Sequence, residues 1–139
     1  SINLTNGMIS TKILSNQCCE FAMVNPLFLG RKSRYAWMAT SLCKQGNGPL
    51  QNIKKLDLIS GMEHNWSAGE RGFVGEPIMI PCPRSNQEDE GWIMVMVWNG
   101  ERKATDLNIL NSKDLFPQAT LNLPLAIPHG LHGSWISES

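Results

Sequence analysis

The chain has 139 residues, twelve acidic and twelve basic, for a formal net charge of zero. This length suits one domain with a core of its own. No Lys/Arg cluster exceeds two or three neighbours, so there is no electrostatic footprint for nucleic acid, and neither a membrane-length apolar run nor a signal-peptide pattern is present. The four cysteines, Cys18, Cys19, Cys43 and Cys82, lack CxxC spacing. That argues against structural zinc and for reduced thiols in a cytosolic-type compartment.

Turn signals are frequent and helix signals scarce. Asn6 and Gly7 form a first tight-turn pair, followed by a partly alternating run over residues 8–14. Residues 35–42 read as a strand, and Gly46 to Pro49 as a turn. Ser60 and Gly61 mark another turn, and residues 77–80 a short strand. Glu88, Asp89 and Glu90 form a charge run in a loop rich in Pro, Ser and Asn, and a solvated loop tip is expected there. Residues 92–98 read as a nearly continuous buried strand, bounded by Asn99 and Gly100. No stretch keeps a 3.6-residue apolar period for three turns, so the chain reads as all-β.

A weak internal repeat refines this reading. Segments starting at Ile2, Leu56 and Leu107 each run apolar, polar, apolar and then into a tight-turn pair, with spacings of 54 and 51 residues. A recurrence near fifty residues, with about four short strands per unit, suits a β-propeller blade, with a sandwich or barrel as the alternative. At roughly fifty residues per blade, 139 residues fall short of the four blades that close a ring. The first residue is Ser1 rather than Met. The expectation is a piece of a longer chain, all of it belonging to one domain.

The chain ends on PHGLHGSW, residues 128–135, which places His129 and His132 among Pro128, Gly130 and Gly133. Imidazole suits oxygen-handling transition metals, and a ligating histidine commonly donates its second N–H to a carboxylate. Two glutamates have apolar neighbours in sequence: Glu20 in CCEFAMV and Glu76 in FVGEPIMI. A buried carboxylate needs a donor, whereas one on an edge strand simply faces water. No GxSxG motif or phosphate-binding glycine loop is present. The five tryptophans read as core rather than as a ligand cage.

At these residues the chain resembles the carotenoid cleavage oxygenases. Glu20 and Phe21, with Asn25, Pro26, Gly30, Arg31, Arg34 and Tyr35, are similar to the family's CEFPRINP…GR.HRY segment. Gly75 to Ile78, followed by Glu88 to Trp92, resemble GEPIFVPRP…EDDGW. LNILNSKD at 107–114 is similar to L.ILDA, and residues 128–135 resemble PYGFHGTW. The four motifs cover essentially the whole chain, in order.

The resemblance implies a seven-bladed β-propeller of which this chain is the last two to three blades. It implies an iron(II) on the axis held by four histidines from different blades, three of them oriented by glutamates. By motif match His132 is the last iron ligand, and Glu76 and Glu20 are two of the orienting glutamates. The other three ligands and the remaining glutamate are expected upstream of Ser1, in the rest of the same propeller. The implied reaction splits one conjugated C=C bond of an apolar polyene, a carotenoid or apocarotenoid, with O2, giving two carbonyls. Peripheral membrane contact and a cytoplasmic or plastid-like compartment go with that substrate class. Gly130 and Gly133 are expected to let the backbone close in around His132.

Three departures stand out. His129 replaces the family's usual Tyr and reads as a tunnel or outer residue rather than a ligand. Ala22 replaces a Pro, and His64 reads as a surface histidine. Cleavage of stilbene-type phenolic alkenes by the same site, and a non-catalytic propeller interaction domain, stay open as alternatives.

Overall fold

The computed structural model describes residues 2–43 and 48–136; Gly46 and Asn47 of the expected turn lie outside the described residues. The described residues form β1 (Cys19–Met23), a 3₁₀ turn (Pro26–Phe28), β2 (Tyr35–Ser41), β3 (Leu50–Asp57), β4 (Glu63–Ser67), β5 (Gly72–Val74), β6 (Ile78–Pro81), β7 (Gly91–Asn99), β8 (Ala104–Asn111) and β9 (Pro117–Asn122). The all-β expectation holds. None of these elements is a helix long and apolar enough to cross a membrane.

Two antiparallel sheets follow one another along the chain. The first has the order β1-β2-β3-β4, and the second β5-β7-β8-β9 with β6 also paired to β7. Because β5 and β6 both lie on β7, they act as one interrupted strand, and each sheet is a four-stranded meander of the propeller-blade kind. A Greek-key sandwich would exchange strands between its sheets, and these sheets exchange none.

The sequence repeat is real, but its third copy is shifted. Three turns share one hydrogen-bond pattern centred on Asn3, Asp57 and Asn111. Their N–H groups donate to the carbonyls of Met8, Met62 and Phe116, and their carbonyls accept from Gly7, Gly61 and Leu115. In each, the Asx side chain accepts from the N–H two residues on: Thr5, Ile59 and Lys113. The copies therefore begin at 2, 56 and 110, with an even spacing of 54. The apparent start at Leu107 falls three residues early, because β8 itself alternates apolar and polar residues. The partly alternating run at residues 8–14 forms no strand; the Ile2–Ile9 bridge of the first turn is the pairing there.

The core lies between the sheets. Trp37, Ala39 and Ile53 of the first pack with Val74, Met79, Ile93, Val95, Val97, Leu110 and Leu115 of the second. The Trp37 indole N–H also donates to the Ser112 carbonyl at 3.0 Å, so the largest buried ring has its polar group satisfied. Strand β7 corrects the expectation of continuous burial. Ile93, Val95 and Val97 point inward, while Trp92 and Met96 are exposed on the opposite face.

The acidic run is also corrected. Glu88 accepts from the N–H groups of Arg34 and Tyr35, at 2.7 and 2.9 Å. Asp89 pairs with the buried Lys55 ammonium at 2.6 Å, and that ammonium also donates to the Lys113 carbonyl and lies 4.2 Å from the Tyr35 ring centroid. The run is a polar strut between the two sheets. Glu88 and Asp89 escape the usual loop reading because their side-chain partners, Arg34, Tyr35 and Lys55, lie more than thirty residues away in sequence.

Candidate metal centre

The site begins with a register fault. β5 aligns Val74 with Val97 and β6 aligns Ile78 with Met94, so four steps on one side span three on the other. The extra residue is a bulge over Gly75, Glu76 and Pro77. The Gly75 N–H makes the last bond, to Met96, and Pro77 has no N–H to leave unpaired. A bulge re-aims a side chain, here the Glu76 carboxylate. β1 repeats the device: Glu20 aligns with Ala39 and Met23 with Trp37, again one residue in excess, with Phe21 at a left-handed φ of 56°. Glu20 is the last paired residue before the fault in β1, whereas Glu76 lies inside the fault between β5 and β6.

After β9 the chain returns as an irregular strap toward the β5–β6 bulge and presents His132. The His132 Nδ1 lies 3.2 Å from Glu76 Oε1, and the Gly133 N–H donates to Glu76 Oε2 at 2.6 Å. One carboxylate therefore grips both the ring and the main chain beside it. The Phe21 ring meets the imidazole edge-on, with centroids 5.9 Å apart and planes at 89°. A carboxylate only accepts, so in the neutral imidazole the proton sits on Nδ1 and Nε2 keeps its lone pair. The Glu76 side chain is 21% exposed and that of His132 71%, so the ring is held from one side and open on the other.

Other expected positions behave differently. Glu20 is exposed on the edge strand β1, and its carboxylate makes no hydrogen bond among the described residues, so its apolar sequence neighbours do not bury it. Gly133 is constrained, since a Cβ there would lie 3.1 Å from Ile78 Cδ1. Gly130 has open space, so its expected close approach is not found. His129 is exposed and lines the same small cleft as Glu76 and His132. His64 is half-buried on β4 and lines a different cleft, with Arg34, Lys55 and Asp89. Phe21 went unnoticed in the sequence as a contact of His132; its only signal is its place after Glu20. Among the described residues, no three His, Cys, Asp or Glu side chains gather into a metal-binding group. The chain offers one oriented imidazole.

The family described as retinal pigment epithelial membrane protein matches residues 1–137. Apocarotenoid-15,15'-oxygenase of Synechocystis is 40% identical over 137 residues, covering 97% of this chain and 28% of that protein. Carotenoid cleavage dioxygenase 7 of Arabidopsis thaliana, a chloroplastic protein, is 30% identical over 88% of this chain and 22% of its own length. Resveratrol cleavage oxygenase 1 of Aspergillus fumigatus is 36% identical over 66% of this chain and 19% of its own length. Among solved structures, cobalt-substituted Synechocystis apocarotenoid oxygenase superposes with a TM-score of 0.95 at 37% identity, over 99% of this chain and 29% of that one. The chain thus spans less than a third of these relatives, and within that span its sheets are blades of the β-propeller seen in the apocarotenoid oxygenase structures. The family match over residues 1–137 and the superposition agree with the motifs: the chain belongs to the retinal pigment epithelial membrane protein family, together with the carotenoid cleavage oxygenases.

Proposed function

We propose that the protein containing this chain is an iron(II)-dependent oxygenase that splits one conjugated C=C bond of a carotenoid or apocarotenoid. One C=C and one O2 give two C=O groups, so no external reductant is needed. The observation that carries the reading is the pairing of His132 with Glu76. Iron(II), when bound with His132 among its ligands, would supply the chemistry that activates O2. Everything else is the work of side chains. Glu76 holds the proton on Nδ1 and leaves Nε2 as a neutral donor, and its second oxygen fixes the main chain at Gly133. Phe21 walls one edge of the ring and limits its rotation. The donor set fits a metal that takes imidazole, and a cobalt-substituted relative is consistent with such a site. One ligand is not a site, so the remaining imidazoles belong to the rest of the propeller, where Glu20 would orient one of them.

The substrate is an apolar polyene by analogy with the carotenoid-cleaving relatives. The resveratrol-cleaving relative supports a second reading, a phenolic stilbene split by the same site. Peripheral membrane contact and a plastid-like or cytoplasmic compartment accompany the first. The test is to offer purified full-length, iron-loaded enzyme an apocarotenal and a hydroxystilbene, following carbonyl products and O2 uptake. Cleavage of the apocarotenal with one O2 consumed supports the proposal. Cleavage of the stilbene alone favours the second reading, and turnover of neither rejects both. His132→Ala is expected to abolish iron retention and turnover; a variant keeping both removes His132 from the site.

A further inference from the structure

We infer that Thr105 is a positioning residue whose hydroxyl clasps the His132 strap and sets the ligand's place before any metal binds. The inference rests on the reading of His132 as a ligand. Thr105 is the second residue of β8 and is 2% exposed, whereas the strap beyond β9 is mostly exposed and has no strand partner. The Thr105 main chain makes the first contacts, accepting from the Leu123 N–H at 3.0 Å and donating to the Leu125 carbonyl at 3.1 Å. Any residue could make those bonds. The hydroxyl adds what the main chain cannot: it accepts from the Ile127 N–H at 2.8 Å and donates to the Ile127 carbonyl at 3.3 Å. A hydroxyl has one donor and two acceptor sites, so it can serve both groups of one residue at once.

Ile127 is the last anchored residue before the imidazole. Pro128 brings no N–H. Among the described residues, the main chain of 128–132 makes no hydrogen bond, and the next anchor is Gly133 on Glu76. The segment carrying His132 is therefore held at two points, Thr105 at one end and Glu76 at the other. Removing the hydroxyl frees one end and leaves both polar groups of Ile127 without their partner, beside a cleft lined by Met96 and Trp98. A misplaced ligand lowers metal retention and turnover without touching substrate contacts.

The test compares Thr105→Val, which keeps the β-branched shape, Thr105→Ser, which keeps the hydroxyl, and His132→Ala, all in the full-length enzyme. The readouts are iron retained under chelator challenge, kcat and KM separately, and amide exchange at Ile127 with and without metal. Thr105→Val is expected to lose metal roughly tenfold faster and to lower kcat by a similar factor with KM unchanged. Thr105→Ser should restore both to within about twofold, and the wild-type Ile127 amide should stay protected in the metal-stripped enzyme. If Thr105→Val retains iron and turnover while His132→Ala loses them, the clasp is overturned and the ligand stands. If His132→Ala retains them, the ligand reading itself falls. A serine variant as impaired as the valine one overturns the clasp. If the valine variant does not fold, the wild-type exchange arm decides: a fast-exchanging Ile127 amide in the metal-stripped enzyme also overturns it.

Discussion

A single carboxylate organises the candidate site. Glu76 uses one oxygen on the imidazole and the other on the next backbone N–H, so its amide substitute would keep the shape and lose the acceptor pair. Glu76→Gln is expected to lower activity or iron affinity of the full-length enzyme by roughly 10–100-fold, read as kcat/KM and metal content; a change below twofold would remove Glu76 from its role. The buried Lys55–Asp89 pair is the second residue of consequence. Asp89→Ala leaves an ammonium 5% exposed without its counter-charge, an expected loss of about 3–5 kcal/mol measured by denaturant melts. His132 and Glu76 were legible in the sequence because their motifs are local strings. Asp89 was misread as solvated because its partner arrives from β3, and a buried lysine in LQNIKKLD looks like a surface residue until Glu63 and Asp89 are seen to pair with Lys54 and Lys55.

At the scale of elements, bulges and turns set the directions. The one-residue faults in β1 and in β5–β6 follow Glu20 and enclose Glu76, and hydrophobic alternation cannot reveal them, since a bulge differs from a strand only in its partner's register. The three Asx turns put Gly7, Gly61 and Leu115 at the same left-handed station, with φ of 70°, 75° and 62°. Gly61 has open space around its Cα, so Gly61→Ala should cost about 1–2 kcal/mol from backbone strain alone. Leu115 accepts that strain because its side chain is 2% exposed in the core. Leu115→Gly relieves the backbone yet removes the packing, for an expected net loss of about 2–4 kcal/mol. Thermal melts of the two variants check the opposite origins of the two losses.

Across the whole molecule, charge and exposed edges matter most. Hydrogen bonding from Arg34, opposed by burial and aided by the Ile59 and Ser60 N–H groups, holds the Asp57 carboxyl well below the usual carboxylate range. Burial pushes Asp106 up, but hydrogen bonds from Asn122 and Asn99 and the Arg102 charge outweigh it and leave it lowered. A lowered carboxylate stabilises the fold above its unfolded value, near pH 4, and that contribution disappears as pH falls through the folded value. The melting-temperature gap between the full-length protein and its Asp57→Asn variant should therefore be steady above about pH 5 and narrow below about pH 4. A gap unchanged at pH 2 would count against the Arg34–Asp57 pair. The second sheet leaves Trp92, Met96 and Leu121 on an uncovered face, with β9 as an open edge. The isolated chain is expected to self-associate in light scattering, and Leu121→Lys to reduce it.

By itself the sequence determined the fold class and the family. Frequent turn pairs without helical periodicity meant strands, a recurrence near fifty residues meant blades, and the strings around Glu20, Glu76 and His132 named the family. Those signals are local, and local geometry is set by a few neighbouring residues. Tertiary structure alone decided that Glu76 reaches His132, that Glu20 faces solvent, that Glu88 and Asp89 tie the sheets together and that Phe21 and Thr105 border the strap carrying His132. Each of these depends on which strand lies beside which and in what register. Register comes from packing two sheets on a shared core, over separations of up to 75 residues, as between Trp37 and Ser112.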